Sequence, residues 1–250
     1  MTPIELRQAR PGLTQRQTIL EEEEEGFETL RRKIKKWGKE NYAAFPWRST
    51  KNKWHALVAE IMLQRTRAEQ VTPVFLSFTR NFKTPSAFLK RTRSNAFKGL
   101  GLLWRHRHLV AMAKELTELG SIPTNKVGLL SLPGVGPYAS AAFRSMHANL
   151  RDVIIDSNVV RLYGRVFGLK THSETRREEW FIQFAGRLTP KRQFRAYNYA
   201  LIDFTRAICR PKPLCHLCPL TDICTYFSDR TKADYSGSHA TVSKPRLRVI

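Results

Sequence analysis

The sequence predicts an all-α protein, and three observations carry that prediction. Apolar residues recur at helical spacing along most of the 250 residues. Sustained alternation of period two, the mark of a half-buried strand, is absent. Short turns rich in glycine and proline punctuate the helical stretches: Gly99-Leu100-Gly101, Gly120, Pro123 and Pro133-Gly134. The length suits one large domain or two small ones, and 42% hydrophobic residues suffice for a core without disulfides.

Taken in order, residues 1–20 are polar and aperiodic and read as part of a flexible arm over 1–25. The acidic run Glu21 to Glu25 precedes Phe27, Leu30, Ile34 and Trp37, which mark a first helix. Acids at its start, with Arg31, Arg32, Lys33, Lys35 and Lys36 further on, suit the helix dipole. Phe45-Pro46-Trp47-Arg48 closes it. Trp54, Leu57, Val58, Ile61 and Met62 mark an amphipathic helix. Others are expected around residues 68–82, 85–91, 105–119, 126–131, 138–148, 157–167, 175–187 and 194–208. Residues 229–250 lose the apolar period, carry five bases against two acids, and read as a basic tail.

The charge narrows the function. Lysine and arginine number 43 against 21 acids, for a net charge of +22 and a pI near 10.4. Seven of the acids and three arginines lie in residues 1–30, which leaves +26 on residues 31–250. So basic a globular body points to nucleic acid as partner. A generic basic protein is the bland alternative. An anionic membrane surface fits less well, because no long basic amphipathic helix with a bulky apolar face stands out. No apolar run approaches transmembrane length, and residues 1–12 contain no signal-peptide core. A cytoplasmic, nucleoid-associated protein is expected.

All four cysteines fall within sixteen residues, as Cys209, Cys215, Cys218 and Cys224 with spacing C-x5-C-x2-C-x5-C. Four thiols on one loop can close around a tetrahedral metal or an iron–sulfur cluster. A zinc site usually pairs two C-x2-C knuckles, and this chain has one, so iron–sulfur is favoured with zinc left open.

Leu132-Pro133-Gly134-Val135-Gly136 precedes a helix beginning near Tyr138. Two glycines one residue apart permit a tight turn whose amides, with the helix N-terminus, can grip a phosphate without reading sequence. A plain interhelical turn is the simpler reading. Asp156 follows an apolar stretch and precedes a helix, where an ordinary N-cap is the bland interpretation. Glu60 lies among Leu57, Val58, Ile61, Met62 and Leu63. A partly desolvated acid there suits a general acid, unless it sits on the polar edge of the helix.

Together these residues resemble the helix-hairpin-helix DNA glycosylases of the endonuclease III and MutY branch, over roughly residues 45–225. The resemblance rests on Pro46-Trp47-Arg48, Glu60-Ile-Met-Leu-Gln64-Arg65-Thr66, Gly99-Leu-Gly101 and Arg105-x-Arg107. The hairpin, Asp156-x-Asn158-Val-x-Arg161 and Cys218-Pro-Leu complete it. One departure is visible: the family usually has six residues between its first two cysteines, and this chain has five. The resemblance implies two helical lobes, a six-helix barrel with the hairpin over 54–150 and a second lobe from 26–53 and 151–228. It assigns the 209–224 loop a [4Fe–4S] cluster with a structural role. It further implies a monomer acting on double-stranded DNA, with a mismatched or damaged nucleotide flipped into the groove between the lobes.

By the same resemblance, Asp156 stabilises positive charge on the sugar and Asn158 orients it, while Glu60 matches the acid that protonates a departing adenine. Tyr138 occupies the place where bifunctional relatives carry a Schiff-base lysine, so a monofunctional enzyme is expected. Gln64, Arg65, Leu102, Gly134, Val135 and Gly136 are the expected DNA contacts. Glu60 fits the MutY-type adenine glycosylases but is carried by the G·T branch as well, while Gly99-Leu-Gly101, Arg105-x-Arg107 and Cys218-Pro-Leu lean towards the MutY type. Arg65, where that branch has a second glutamine, and Leu102, where it has tyrosine, lean towards the thymine/uracil G·T mismatch branch. The end at Ile250 leaves no room for the domain that senses 8-oxoguanine. Thymine or uracil opposite guanine is the expected substrate, and adenine the alternative. A non-catalytic iron–sulfur DNA-binding regulator is a reading of another class, against which the presence of both carboxylates argues.

Overall fold

A computed structural model describes residues 15–91 and 103–237. Eleven α-helices, joined in places by short 3-10 or π-helical turns, make up the regular structure of these residues: α1 (Gln15–Glu40), α2 (Lys53–Leu63), α3 (Ala68–Asn81), α4 (Pro85–Leu89), α5 (Leu103–Leu119), α6 (Lys126–Ser131), α7 (Pro137–Ala142), α8 (Ser157–Phe167), α9 (Glu179–Leu188), α10 (Phe194–Ala207) and α11 (Thr225–Gly237). Their starts follow from local chemistry. Asn52, Thr84, Asn125 and Asp156 each cap a helix by accepting backbone N–H bonds. Pro85 and Pro137 occupy first-turn positions, where a missing N–H costs nothing. No helix among the described residues is long and apolar enough to cross a membrane.

The helices enclose two apolar cores. In the first, Trp54 of α2 meets Phe78 of α3 and Phe88 of α4, and Leu109 and Met112 of α5 and Leu129 of α6 complete it. Nearly every residue of α2 from Trp54 to Met62 is buried, so this helix runs through the centre of the core. The second core joins Phe27, Leu30 and Ile34 of α1 to Tyr163, Phe181, Tyr197 and Phe204. Here α1 runs hard against α10. A Cβ on Gly38 would stand 2.2 Å from Ala200 Cβ, so glycine is what allows the approach.

Three boundaries differ from expectation. α1 begins at Gln15, so the acidic run lies within the helix rather than at its start, and residues 15–25 are not a loose arm. Glutamate is a good helix former, and Arg31 draws Glu24 in at 2.9 Å. Residues 229–237 continue α11 instead of opening a tail, because Thr225 Oγ1 anchors the helix to Val166 O at 3.0 Å. Trp47, assigned to the second lobe, packs in the first core against Phe75. Its neighbour Arg48 makes a buried two-point pair with Asp203 of α10, both contacts 2.7 Å, so residues 46–48 clasp the two cores together.

Candidate active site

A cleft of about 1210 Å³ opens between the cores. Its lining includes Glu60, Gln64, Arg65, Gly134, Val135, Gly136, Tyr138, Asp156 and Asn158, candidates expected from three separate stretches of sequence. Leu102 lies outside the described residues.

Asp156 is held at both oxygens. Oδ1 accepts the backbone N–H groups of Asn158 at 2.9 Å and Val159 at 2.8 Å, and Oδ2 accepts Asn158 Nδ2 at 2.7 Å. Asn158 is fixed in turn, because its Oδ1 accepts from Arg161 Nη1 at 3.0 Å. The N-cap reading is therefore met, and the capping carboxylate also lines the cleft. The cap fixes a half-buried carboxylate at a helix N-terminus on the cleft wall.

Glu60 is 5% exposed, so the expected desolvation is real rather than a polar-edge position. Its Oε1 lies 3.3 Å from Nε2 of His147. Tyr138 stands near both carboxylates. Burial, then the charges of Glu60 and Asp156, hold its phenol well above the ordinary value, so it remains a neutral hydrogen-bond donor. Burial and Glu60 likewise push Tyr199 up to about 12. Arg48 lies over the Tyr199 ring at 4.5 Å. Burial opposes the Arg48 charge, but Asp203 outweighs it and holds the group above its usual value.

The hairpin differs from expectation in detail. Gly134 has φ +82°, and a Cβ there would come within 2.9 Å of His108 Cβ, so this position requires glycine. Gly136 has an ordinary φ of −88° and open space around it. The Val135 side chain is buried in the first core and its N–H is taken by Leu132 O at 3.1 Å. Val135 thus serves the turn itself. Gly134, Gly136 and the first amides of α7 are the donors left for an anion.

Gln64 ties the hairpin to the turn after α2 by donating to Gly134 O at 2.9 Å. Arg65, exposed, holds a left-handed conformation at φ 56°. The fully buried Arg105 supports that turn. It donates to Met62 O at 3.0 Å, to Thr66 Oγ1 at 2.8 Å and to Gln64 O. A strained Arg65 presented at the mouth of a cleft suits contact with an anionic strand.

The four cysteines lie on one loop from the end of α10 to the start of α11. Cys209 is buried and the other three are half-buried. Cys218 feels the charges of the other three sulfurs, and burial foremost pushes its thiol up to about 11. Backbone N–H groups of Leu220 and Phe227 point at Cys218 and Cys224, and Arg165 Nη1 lies 3.6 Å from Cys209 Sγ. Among the described residues no group of three or more His, Cys, Asp or Glu side chains converges tightly enough to hold one metal ion.

With this geometry in place, similarity decides the family. No family model matches the chain. A thymine-DNA glycosylase of Aeropyrum pernix is 34% identical over 220 residues, covering 81% of this chain and 96% of that protein. The chain belongs to the helix-hairpin-helix DNA glycosylases. A thymine/uracil-DNA glycosylase of Methanothermobacter thermautotrophicus matches this glycosylase at 30% over 73% of the chain and 86% of that protein. The solved structure of a thermostable thymine-DNA glycosylase superposes with a TM-score of 0.76 at 28% identity, covering 82% of this chain and 98% of that one. Adenine DNA glycosylases match over less of their own length. That of Buchnera aphidicola is 30% identical across 72% of this glycosylase but 52% of that protein.

Several site residues of the glycosylase carried no assigned role in the sequence. Arg105 was visible only as part of a motif. Tyr199 and Asp203 share one face of α10 at i, i+4 spacing, a pattern that also marks any buried helix face. His147 is 87 residues from its partner Glu60, and no local pattern announces such a pair.

Proposed function

We propose that this glycosylase is a monofunctional mismatch enzyme that hydrolyses the N-glycosidic bond of thymine or uracil opposite guanine and leaves an abasic site. Two observations support the choice of base: the relatives matched over most of their own length are thymine or thymine/uracil enzymes, and Arg65 stands at the cleft. The observation that carries the chemistry is the hold on Asp156.

The extruded nucleotide enters the cleft between the cores, and the hairpin amides hold a phosphate of its strand. Asp156 lies against the sugar and stabilises the positive charge that builds as the bond to the base breaks. Asn158 keeps that carboxylate aimed, so little reorganisation is needed at the moment of reaction. Tyr138, a neutral phenol, donates a hydrogen bond and forms no Schiff base. Glu60 faces the leaving base, which departs as an anion held by hydrogen bonds or takes a proton. A second reading, removal of adenine, is favoured by one observation: Glu60 is buried beside a possible proton partner, as purine protonation needs.

The all-thiol donor set on one loop and the N–H groups turned towards Cys218 and Cys224 suit a [4Fe–4S] cluster on Cys209, Cys215, Cys218 and Cys224. When bound, it cross-links the 209–224 loop and supports the lobe that carries Asp156. The enzyme is taken to act as a monomer in the cytoplasm.

Duplexes carrying G·T, G·U, A·G and A·8-oxoguanine, incubated under single-turnover conditions and then treated with alkali, test the reading. Strand cleavage at thymine or uracil is expected. Cleavage confined to adenine makes the second reading correct, and no cleavage of any duplex refutes the catalytic assignment.

A further inference from the structure

His147 ends the π-helical turn Phe143–His147, directly behind Glu60. Its Nε2 lies 3.3 Å from Glu60 Oε1, and the two side chains are 2% and 4% exposed. Its Nδ1 is buried without a partner. A proton on Nδ1 would strand a donor, so the consistent arrangement is Nε2–H donating to the Glu60 carboxylate. That uses Oε1. Among the described residues no side chain takes Oε2, and Glu60 lines the cleft.

Building on the glycosylase reading above, we propose that His147 is the positioning residue of Glu60. The two form a buried dyad in which the Nε2–H of His147 holds Oε1 and turns Oε2 towards the extruded base. In the loaded dyad Glu60 carries the proton on its cleft side. As the N-glycosidic bond breaks, its electron pair goes to the departing base and the Glu60 proton follows. The carboxylate left behind accepts the Nε2–H of His147, and a solvent proton reloads the pair after the base has left.

Two phenols and a guanidinium stand around the dyad. Tyr138 of α7 and Tyr199 of α10 are held high by burial and then by the Glu60 charge. Arg48 stays charged against Asp203. Asp156, at the N-terminus of α8, also acts on Tyr138.

The test is a double-mutant cycle on the full chain, using whichever mismatch duplex the native enzyme cleaves. His147→Gln retains an N–H donor; His147→Leu removes it. His147→Gln should keep the rate within ~3-fold, because its N–H can still hold Oε1. His147→Leu should lower the rate by ~10-fold or more, with DNA affinity unchanged. In a Glu60→Gln background neither change should have further effect, because the partner is gone. A His147→Gln rate as low as that of His147→Leu overturns the dyad. So does a His147→Leu loss that persists undiminished beside Glu60→Gln, which would be a packing effect. A native enzyme inactive on every duplex refutes the glycosylase reading instead.

Discussion

Replacing Asp156 with asparagine separates catalysis from folding better than any other single change. Asparagine caps helices as well as aspartate does, so the Asn158 and Val159 N–H groups keep an acceptor. The second oxygen becomes an amide that faces Asn158 Nδ2, donor against donor. Asn158 cannot turn over without losing Arg161 Nη1. One hydrogen bond is therefore lost, about 1 kcal/mol, which lowers Tm by about 2–4 °C in a chain of this size. The catalytic loss is larger. Removing one preorganised electrostatic contact to the charge of the transition state costs ~10²–10³-fold, about 2.7–4 kcal/mol. Single-turnover excision followed by alkali should thus fall at least ~100-fold on every cleaved mismatch, while duplex affinity holds. Asp156→Ala is the control. It loses the cap as well, about 1 kcal/mol more instability, but should be no slower by orders of magnitude than the asparagine variant. Excision by Asp156→Asn at the native rate would refute the placement of this carboxylate against the sugar.

Three further outcomes are expected. The +26 carried by residues 31–250 should make duplex affinity fall ~10³-fold or more between roughly 50 and 200 mM salt if six or more phosphate contacts form; a flat salt dependence would put the charge away from the DNA face. Borohydride should trap no covalent adduct with the native enzyme, whereas Tyr138→Lys, which points an amine at the cleft, should gain some; efficient trapping by the native chain would overturn the monofunctional reading. The purified protein should be brown, and Cys215→Ser should lower cluster occupancy and DNA affinity together, whereas a colourless protein with one zinc per chain would overturn the cluster.

Periodicity in the sequence was enough for the all-α class, because each helix must bury one stripe and leaves that stripe in its own residues. The local devices were legible for the same reason. Asp156 before an apolar helix and the paired glycines of the hairpin involve residues within a few positions of each other. Helix ends were read less well: α1 starts at Gln15 rather than near residue 26, because glutamate propensity and a bond from Arg31 outweigh polarity.

The charge excess and the four clustered cysteines also belonged to the sequence, since composition and spacing survive any folding. What only the tertiary structure decided is which distant groups meet. Glu60 finds His147 across 87 residues, Arg48 finds Asp203 across 155, and Gln64 finds the Gly134 carbonyl across 70. Val135 turned inward, and of the two hairpin glycines only Gly134 proved conformationally required. Local pattern reports the face a residue turns to its own helix axis. It holds no information on which face of another helix packs against it, and that packing sets the electrostatics of this cleft.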